Sequence, residues 1–222
     1  MEQKPTMLLT GFEGYGGRGL NPAAEVARAL AGQTVRGACV TSAILPVSYA
    51  RLAGGMTELI RKHRPRAVIC LGLWPGEPVI RLERFGTNLS AFEIADNAGA
   101  MESGPIEAAG PAARIATLPV ETIQTRLLDA GIPARLSSTA GNFLCNALLY
   151  ETLGIVEREA PDALCGFIHT PYLPAQVADM IGTIKIERAL ELHQRADLAS
   201  MALDTMVAAI RIAIETTLEA AR

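Results

Sequence analysis

Cys145 lies in the run Ser138-Thr139-Ala140-Gly141-Asn142-Phe143-Leu144-Cys145-Asn146, where a turn opens into an apolar helix. A thiol in the first turn of a helix meets unpaired backbone N–H groups and the positive end of the helix dipole. Both favour the thiolate, which is the nucleophilic form. His169 stands downstream at the end of Leu164-Cys165-Gly166-Phe167-Ile168-His169-Thr170-Pro171 and is the only histidine embedded in a strand-like apolar segment. His63 and His193 sit among charged and polar residues and read as solvated. Two readings stand for His169. It is either a core imidazole satisfied by a hydrogen bond, or the base of a Cys–His pair carrying out nucleophilic hydrolysis.

Such a pair needs a third group to orient the imidazole. Glu77, Glu83, Glu93 and Asp96 are the nearby carboxylates, and spacing does not choose among them. Backbone N–H groups around Gly141–Cys145 are positioned to receive an oxyanion at the same helix start. The glycine-rich stretch Gly11-Phe12-Glu13-Gly14-Tyr15-Gly16-Gly17 lacks a Lys-Ser/Thr step and misses the GxGxxG spacing, which excludes both nucleotide-binding loops. Its aromatics, Phe12 and Tyr15, suit the wall of a site for a small flat ligand. A plain tight turn is the alternative. Cys39, Cys70 and Cys165 form no CxxC pair and read as reduced, buried filler. No His, Asp, Glu or Cys cluster has metal-ligand spacing, so neither a metal nor a cofactor is expected.

The elements that must position these groups alternate along the chain. Thr6–Thr10, Val40–Val47, Arg66–Leu73 and Ala163–Thr170 read as buried strands, and Ala113–Leu118 as a strand edge. Asn21-Pro22 supplies an N-cap with proline at the first helical position for a helix through Leu30. Further helices are expected over Tyr49–His63, over Val120–Ala130 and from Cys145 to about Leu153. A final one spans Leu198–Ala221, capped by Asp197. Residues 79–110 have no helical period and read as irregular, with short extended pieces. This pattern predicts a single α/β domain over residues 1–222, a three-layer α/β/α sandwich around a central mixed, mostly parallel sheet. The loops after the first and third strands, together with Thr170-Pro171, converge on one rim of that sheet, where such folds bind ligands.

Half the residues are hydrophobic and only 5% aromatic, a balance that fits buried strands covered by helices. A net charge of −3 gives no electrostatic reason for a nucleic-acid partner. No apolar run approaches the ~18–20 residues that span a bilayer. With no secretory signal pattern either, the expected location is cytoplasmic, with no membrane partner.

Four ordered blocks resemble the pyroglutamyl peptidase I (pyrrolidone-carboxylate peptidase) family of cysteine peptidases. Thr10–Gly17 with Asn21-Pro22 is similar to the family's TGF-x-PFGG and following NP. Gly72 through Glu83-Arg84, then Asn88 and Asp96-Asn97-x-Gly99, is similar to its GQxGGR, ER, N and RIPDNxG pattern. Ser137–Asn146 resembles its nucleophile motif, with Ser138 in place of an asparagine, and Gly166–Pro174 matches its GFIHxP block.

The resemblance implies Cys145 as nucleophile, His169 as general base and acid, and Glu83 as the group that orients His169. It also implies substrate-binding roles for Phe12, Tyr15, Asn21, Leu73, Phe143 and Glu93. The implied reaction releases an N-terminal 5-oxoproline (pyroglutamate) from a peptide through a thioester. Homodimers or homotetramers are implied too, and a mean hydropathy of +0.25 is compatible with a buried interface.

Besides Ser138, three further positions depart from the family pattern. Leu73 replaces a glutamine, Glu77 an arginine, and Glu93 an arginine near the catalytic centre. An anion in that last place would raise the Cys145 pKa and disfavour an oxyanion. The expectation is that Glu93 points elsewhere or that the specificity has moved. A related cysteine amidohydrolase acting on another small amide and a catalytically silent binding homologue are the alternative readings.

Overall fold

The computed structural model of the chain describes residues 5–187 and 198–221. In chain order the first elements are β1 (Thr6–Phe12), α1 (Pro22–Leu30), β2 (Thr34–Val35), β3 (Ala38–Leu45), α2 (Tyr49–His63) and β4 (Ala67–Leu73). Short strands follow: β5 (Ile80–Glu83), β6 (Phe85–Thr87), β7 (Ser90–Ala91), β8 (Ser103–Gly104) and β9 (Ala113–Ile115). The chain continues through α3 (Val120–Asp129), β10 (Ala134–Ser137), α4 (Leu144–Glu159), β11 (Leu164–Thr170), α5 (Pro174–Glu187) and α6 (Leu203–Ala220).

Seven strands form one sheet in the order β10-β5-β11-β4-β1-β3-β2. The pairs β10–β5, β11–β4, β4–β1 and β1–β3 are parallel, whereas β5–β11 and β2–β3 are antiparallel. β6–β9 and β7–β8 make two separate ribbons. Strand side chains alternate between faces, and the two cores follow that period of two. Met7, Leu9, Ile69, Leu71, Ile80, Leu82 and Ile168 pack against residues of α1, α3 and α6. Leu8, Phe12, Val68, Cys70, Cys165 and Phe167 pack against α2 and α4. The result is a mixed, mostly parallel sheet between two helical layers. Among the described residues no helix is long and apolar enough to cross a membrane.

Several boundaries differ from the sequence reading. β5 is a full member of the main sheet, although its stretch had read as irregular. At four residues, two of them charged, it gives almost no apolar signal. Ala113–Ile115 pairs with β6 in a ribbon outside the main sheet. The last helix begins at Leu203, not Leu198. The Met201 N–H instead donates to the Tyr172 carbonyl at 2.9 Å, holding that stretch out of the helix. Asp197 and His193 lie outside the described residues.

Two local features seat α1 against β1. Asn21 is extended, and its side chain accepts from the Ala23 N–H at 3.0 Å, with Pro22 completing the helix start. Gly11 lets the helix approach: a Cβ there would lie 2.4 Å from the Ala23 carbonyl oxygen. Gly11→Ala must therefore push a backbone aside. The expected cost is about 1–3 kcal/mol of stability, read as a lower denaturant midpoint with an unchanged slope.

Candidate active site

The alternation that builds the core also points the polar side chains of β5 and β11 to one side. Ile80 and Leu82 face α1, α3 and α6, so Arg81 and Glu83 face α4. Phe167 and His169 do the same on β11, and the antiparallel register sets Glu83 opposite Phe167 and Arg81 opposite His169. Glu83 Oε1 lies 2.8 Å from His169 Nδ1, with the two side chains 0% and 1% exposed. An ionised carboxylate only accepts, so Nδ1 carries the hydrogen and Nε2 is left as the free acceptor.

On the other side of His169, the parallel β11–β4 register places it beside Gly72. A Cβ on Gly72 would stand 2.9 Å from Cys145 Sγ and 2.7 Å from the Phe167 ring. The bare Cα of Gly72 is thus what lets the thiol sit over the sheet next to His169. Cys145 is the second residue of α4, whose N-cap, Phe143, makes no side-chain capping bond. The first-turn N–H groups therefore have no intrahelical acceptor. The turn before them depends on Gly141, held at φ 84°, which favours glycine.

A cavity of about 160 Å³ opens above this floor. Phe12, Tyr15, Asn21, Leu73 and Phe143 all line it, as do Cys145 and His169. Tyr15 and Phe143 approach at 6.3 Å between ring centroids, and Phe92 braces Phe143 edge-on at 4.5 Å. Asn21 is committed structurally: besides capping α1, its amide donates to the Glu13 carbonyl at 2.9 Å. Glu83 lies behind His169 and does not line the cavity.

Glu93 is a correction. It is exposed in the segment between β7 and β8 and contributes nothing to the cavity lining. Its buried neighbour Phe92 takes the inward position, which turns Glu93 to solvent. The remaining acids have other partners. Asp96 accepts from the N–H groups of Tyr49, Ala98 and Ala100, and Glu77 pairs with Arg81 and Arg135.

The thiol also departs from the expected thiolate. Burial, followed by the charge of Glu83, pushes the Cys145 pKa up to about 12, against the helix-start effect. Burial lowers the His169 pKa below its ordinary value, and the bond from Glu83 opposes this only in part. Burial works to raise the Glu83 pKa, but His169, the Ser137 hydroxyl and the Arg81 guanidinium outweigh it and hold Glu83 ionised. Thiol, neutral imidazole and carboxylate are the consistent resting forms.

Sequence reasoning missed three residues. Trp74, the chain's single tryptophan, stands edge-on to His169 with ring centroids 5.1 Å apart and lines the cavity. Its position in a loop after a buried strand was the only available signal. Arg81 is 3% exposed and has its guanidinium carbon 3.7 Å above the Trp74 ring. Asn146, fully buried, accepts from the Thr87 N–H and donates to the Thr87 and Leu89 carbonyls, fastening α4 to the β6–β7 segment. Among the described residues no group of three or more His, Cys, Asp or Glu is placed to hold a metal ion.

Known proteins share this architecture. The pyroglutamyl peptidase family model matches residues 5–220. The pyrrolidone-carboxylate peptidase 1 of Ralstonia nicotianae is 39% identical over 215 residues, which is 96% of this chain and 93% of that protein. The pyrrolidone-carboxylate peptidase of Gloeobacter violaceus is 41% identical over 188 residues, 84% of this chain and 91% of the other. Among solved structures, a mutant pyrrolidone carboxyl peptidase from Pyrococcus furiosus superposes with a TM-score of 0.88 at 33% identity. The match covers 97% of this chain and 99% of that one. Pyroglutamyl peptidase I of Bacillus amyloliquefaciens gives 0.85 at 33% identity, covering 98% of both chains. With a family match from end to end and relatives this similar over nearly their whole length, the chain belongs to the pyroglutamyl peptidase family.

Proposed function

We propose that this chain is a cysteine exopeptidase, acting as one domain, that hydrolyses the amide bond following an N-terminal pyroglutamate, with Cys145, His169 and Glu83 as its catalytic triad. The observation that carries the proposal is a thiol over a bare glycine, beside a carboxylate-bonded imidazole, at the floor of a small aromatic-walled cavity with no acidic lining residue among the described residues. A free peptide N-terminus carries an ammonium that needs a carboxylate when desolvated. A lactam needs none; flat apolar walls and a few hydrogen bonds suffice.

In this reading His169 Nε2 takes the Cys145 proton as sulfur attacks the carbonyl that joins the lactam ring to the next residue. Because burial keeps the resting group a thiol, proton transfer accompanies attack. The tetrahedral oxyanion is received by first-turn N–H groups of α4. His169 then protonates the leaving amine as the C–N bond breaks. In the second half, water attacks the thioester with His169 as base, releasing 5-oxoproline and restoring the thiol. Glu83 holds the imidazole tautomer and stabilises the transient imidazolium.

Leu73 favours a second reading. It puts an apolar side chain on the cavity wall where the family pattern has glutamine, which suits a small amide less polar than the lactam. A panel of N-acyl and lactam amides separates the two readings, because cleavage of pyroglutamyl substrates alone eliminates the second.

Release of a fluorescent amine from its pyroglutamyl amide is the direct assay. Wild type is expected to turn over and Cys145→Ser to show no release above background; turnover by the serine variant would refute the nucleophile assignment. The pH profile follows from His169, which must be neutral to accept the proton. Activity is lost as pH falls through its depressed pKa, so the acid limb of kcat/KM lies below the ordinary value of 6.5. Glu83→Gln removes the anion that opposes that depression. The limb moves to still lower pH and kcat drops by about 10²–10⁴-fold. Gly72→Ala, which intrudes on Sγ, is expected to cut both turnover and Cys145 alkylation far more than it lowers thermal stability.

A further inference from the structure

We infer that Arg81 is a positioning residue of this site, whose guanidinium fork fixes the Glu83 carboxylate, the loop leading to Cys145 and the Trp74 wall relative to one another. The inference rests on the triad reading above and extends it to a residue outside the cavity.

The geometry is that of a three-way clamp. Arg81 Nε donates to Glu83 Oε1 at 3.2 Å, on the same oxygen that receives His169. One terminal nitrogen donates to Ser137 Oγ at 2.7 Å and to the Thr139 carbonyl at 3.0 Å. Ser137 ends β10, and Thr139 begins the turn that reaches Cys145 through Gly141. The other terminal nitrogen meets Glu77 Oε1 at 2.6 Å, and Glu77 in turn meets Arg135 at 2.7 Å. The flat face of the guanidinium lies over Trp74. Trp74 stands edge-on to His169 and comes within 3.5 Å of where a Gly141 Cβ would be.

Only a planar group with several donors in fixed directions makes all of these contacts together, and a lysine ammonium reproduces the charge without the fork. Burying this cation is expensive without partners, and Glu83 and Glu77 supply them. The charge also acts on the imidazole. His169 is faced by Glu83 and Arg81 of β5, by Glu77 just before β5, and by Cys145 of α4. Burial is the larger influence against the imidazolium, and of these groups Arg81 adds to it.

Arg81→Met and Arg81→Lys, measured beside wild type, test the inference by three readouts: kcat and KM on a pyroglutamyl amide, the pH profile, and an NMR titration of the His169 ring. Arg81→Met is expected to lower kcat roughly 10- to 100-fold with a smaller change in KM. It should also move both the acid limb and the His169 midpoint upward. Arg81→Lys should keep the midpoint near wild type while kcat still falls. A folded Arg81→Met with wild-type kcat overturns the inference. So does an Arg81→Met variant that loses thermal stability while limb and titration stay put, since that marks a purely structural arginine. If Arg81→Met does not fold, Arg81→Lys decides: reduced kcat at an unchanged midpoint supports the clamp, and wild-type kcat refutes it. If wild type itself fails on pyroglutamyl amides, the functional proposal falls, while the ring titration still judges Arg81.

Discussion

A carboxylate with no access to water must be matched by partners that the fold itself delivers, and Glu83 imposes that requirement here. Its side chain is wholly enclosed, yet ionisation is retained because His169 donates to it from the neighbouring strand and Arg81 from its own. The contact from His169 exists because β5 runs antiparallel to β11 in an otherwise mostly parallel sheet. The antiparallel register sets Arg81 directly across from His169. A parallel neighbour would slant the pairing and bring different side chains together. The reversed direction of β5, which β10 shares, is therefore what assembles an acid, a cation and an imidazole in a region that the core would otherwise fill with aliphatic groups.

The same enclosure sets the resting chemistry. Desolvation disfavours every unpaired charge, and only Glu83 has enough partners to withstand it. Burial favours the neutral forms of Cys145 and His169, so the thiol rather than the thiolate is the resting form it favours. Tyr15 shares this environment: burial and the neighbouring Cys145 push its phenol up to about 12, leaving it an apolar wall with a neutral hydroxyl. What the site supplies in advance is geometry. The thiol rests over Gly72, the base is tethered through Nδ1, and a helix start has unused donors.

Much of this was legible in the residues, for identifiable reasons. The strand around His169 and the helix after Cys145 are long apolar runs, and local periodicity reports such runs well. Asn21-Pro22 is a cap with a mechanism, and it capped a helix. What failed to show was whatever depends on pairing between distant segments. β5 is too short and too charged to register as a strand, and without its register nothing selects Glu83 from four carboxylates. The family resemblance pointed to Glu83 where spacing could not. Glu93 points elsewhere, one of the two expectations held for it; an aligned position could not choose between them because it says nothing about which of two adjacent residues turns inward, and here Phe92 does. The thiolate expectation weighed the helix dipole but had no means of weighing burial, which pushes the thiol the other way.

The order of strands in the sheet carries one more implication. β11 is the last of the seven to be synthesised, yet it lies near the middle, between β5 and β4. Until it is inserted, β10–β5 and β4–β1–β3–β2 are separate pieces with no hydrogen bonds between them. Closing the sheet is then a late, long-range event that requires almost the whole chain to have left the ribosome. His169 arrives on that closing strand, so the imidazole, the carboxylate behind it and the floor of the cavity come together in the same step that completes the fold. A nascent or truncated chain ending before Leu164 has Cys145 and Glu83 but lacks His169. The pairing of Glu83 with His169 and the closed floor of the cavity thus arrive together with structural completion.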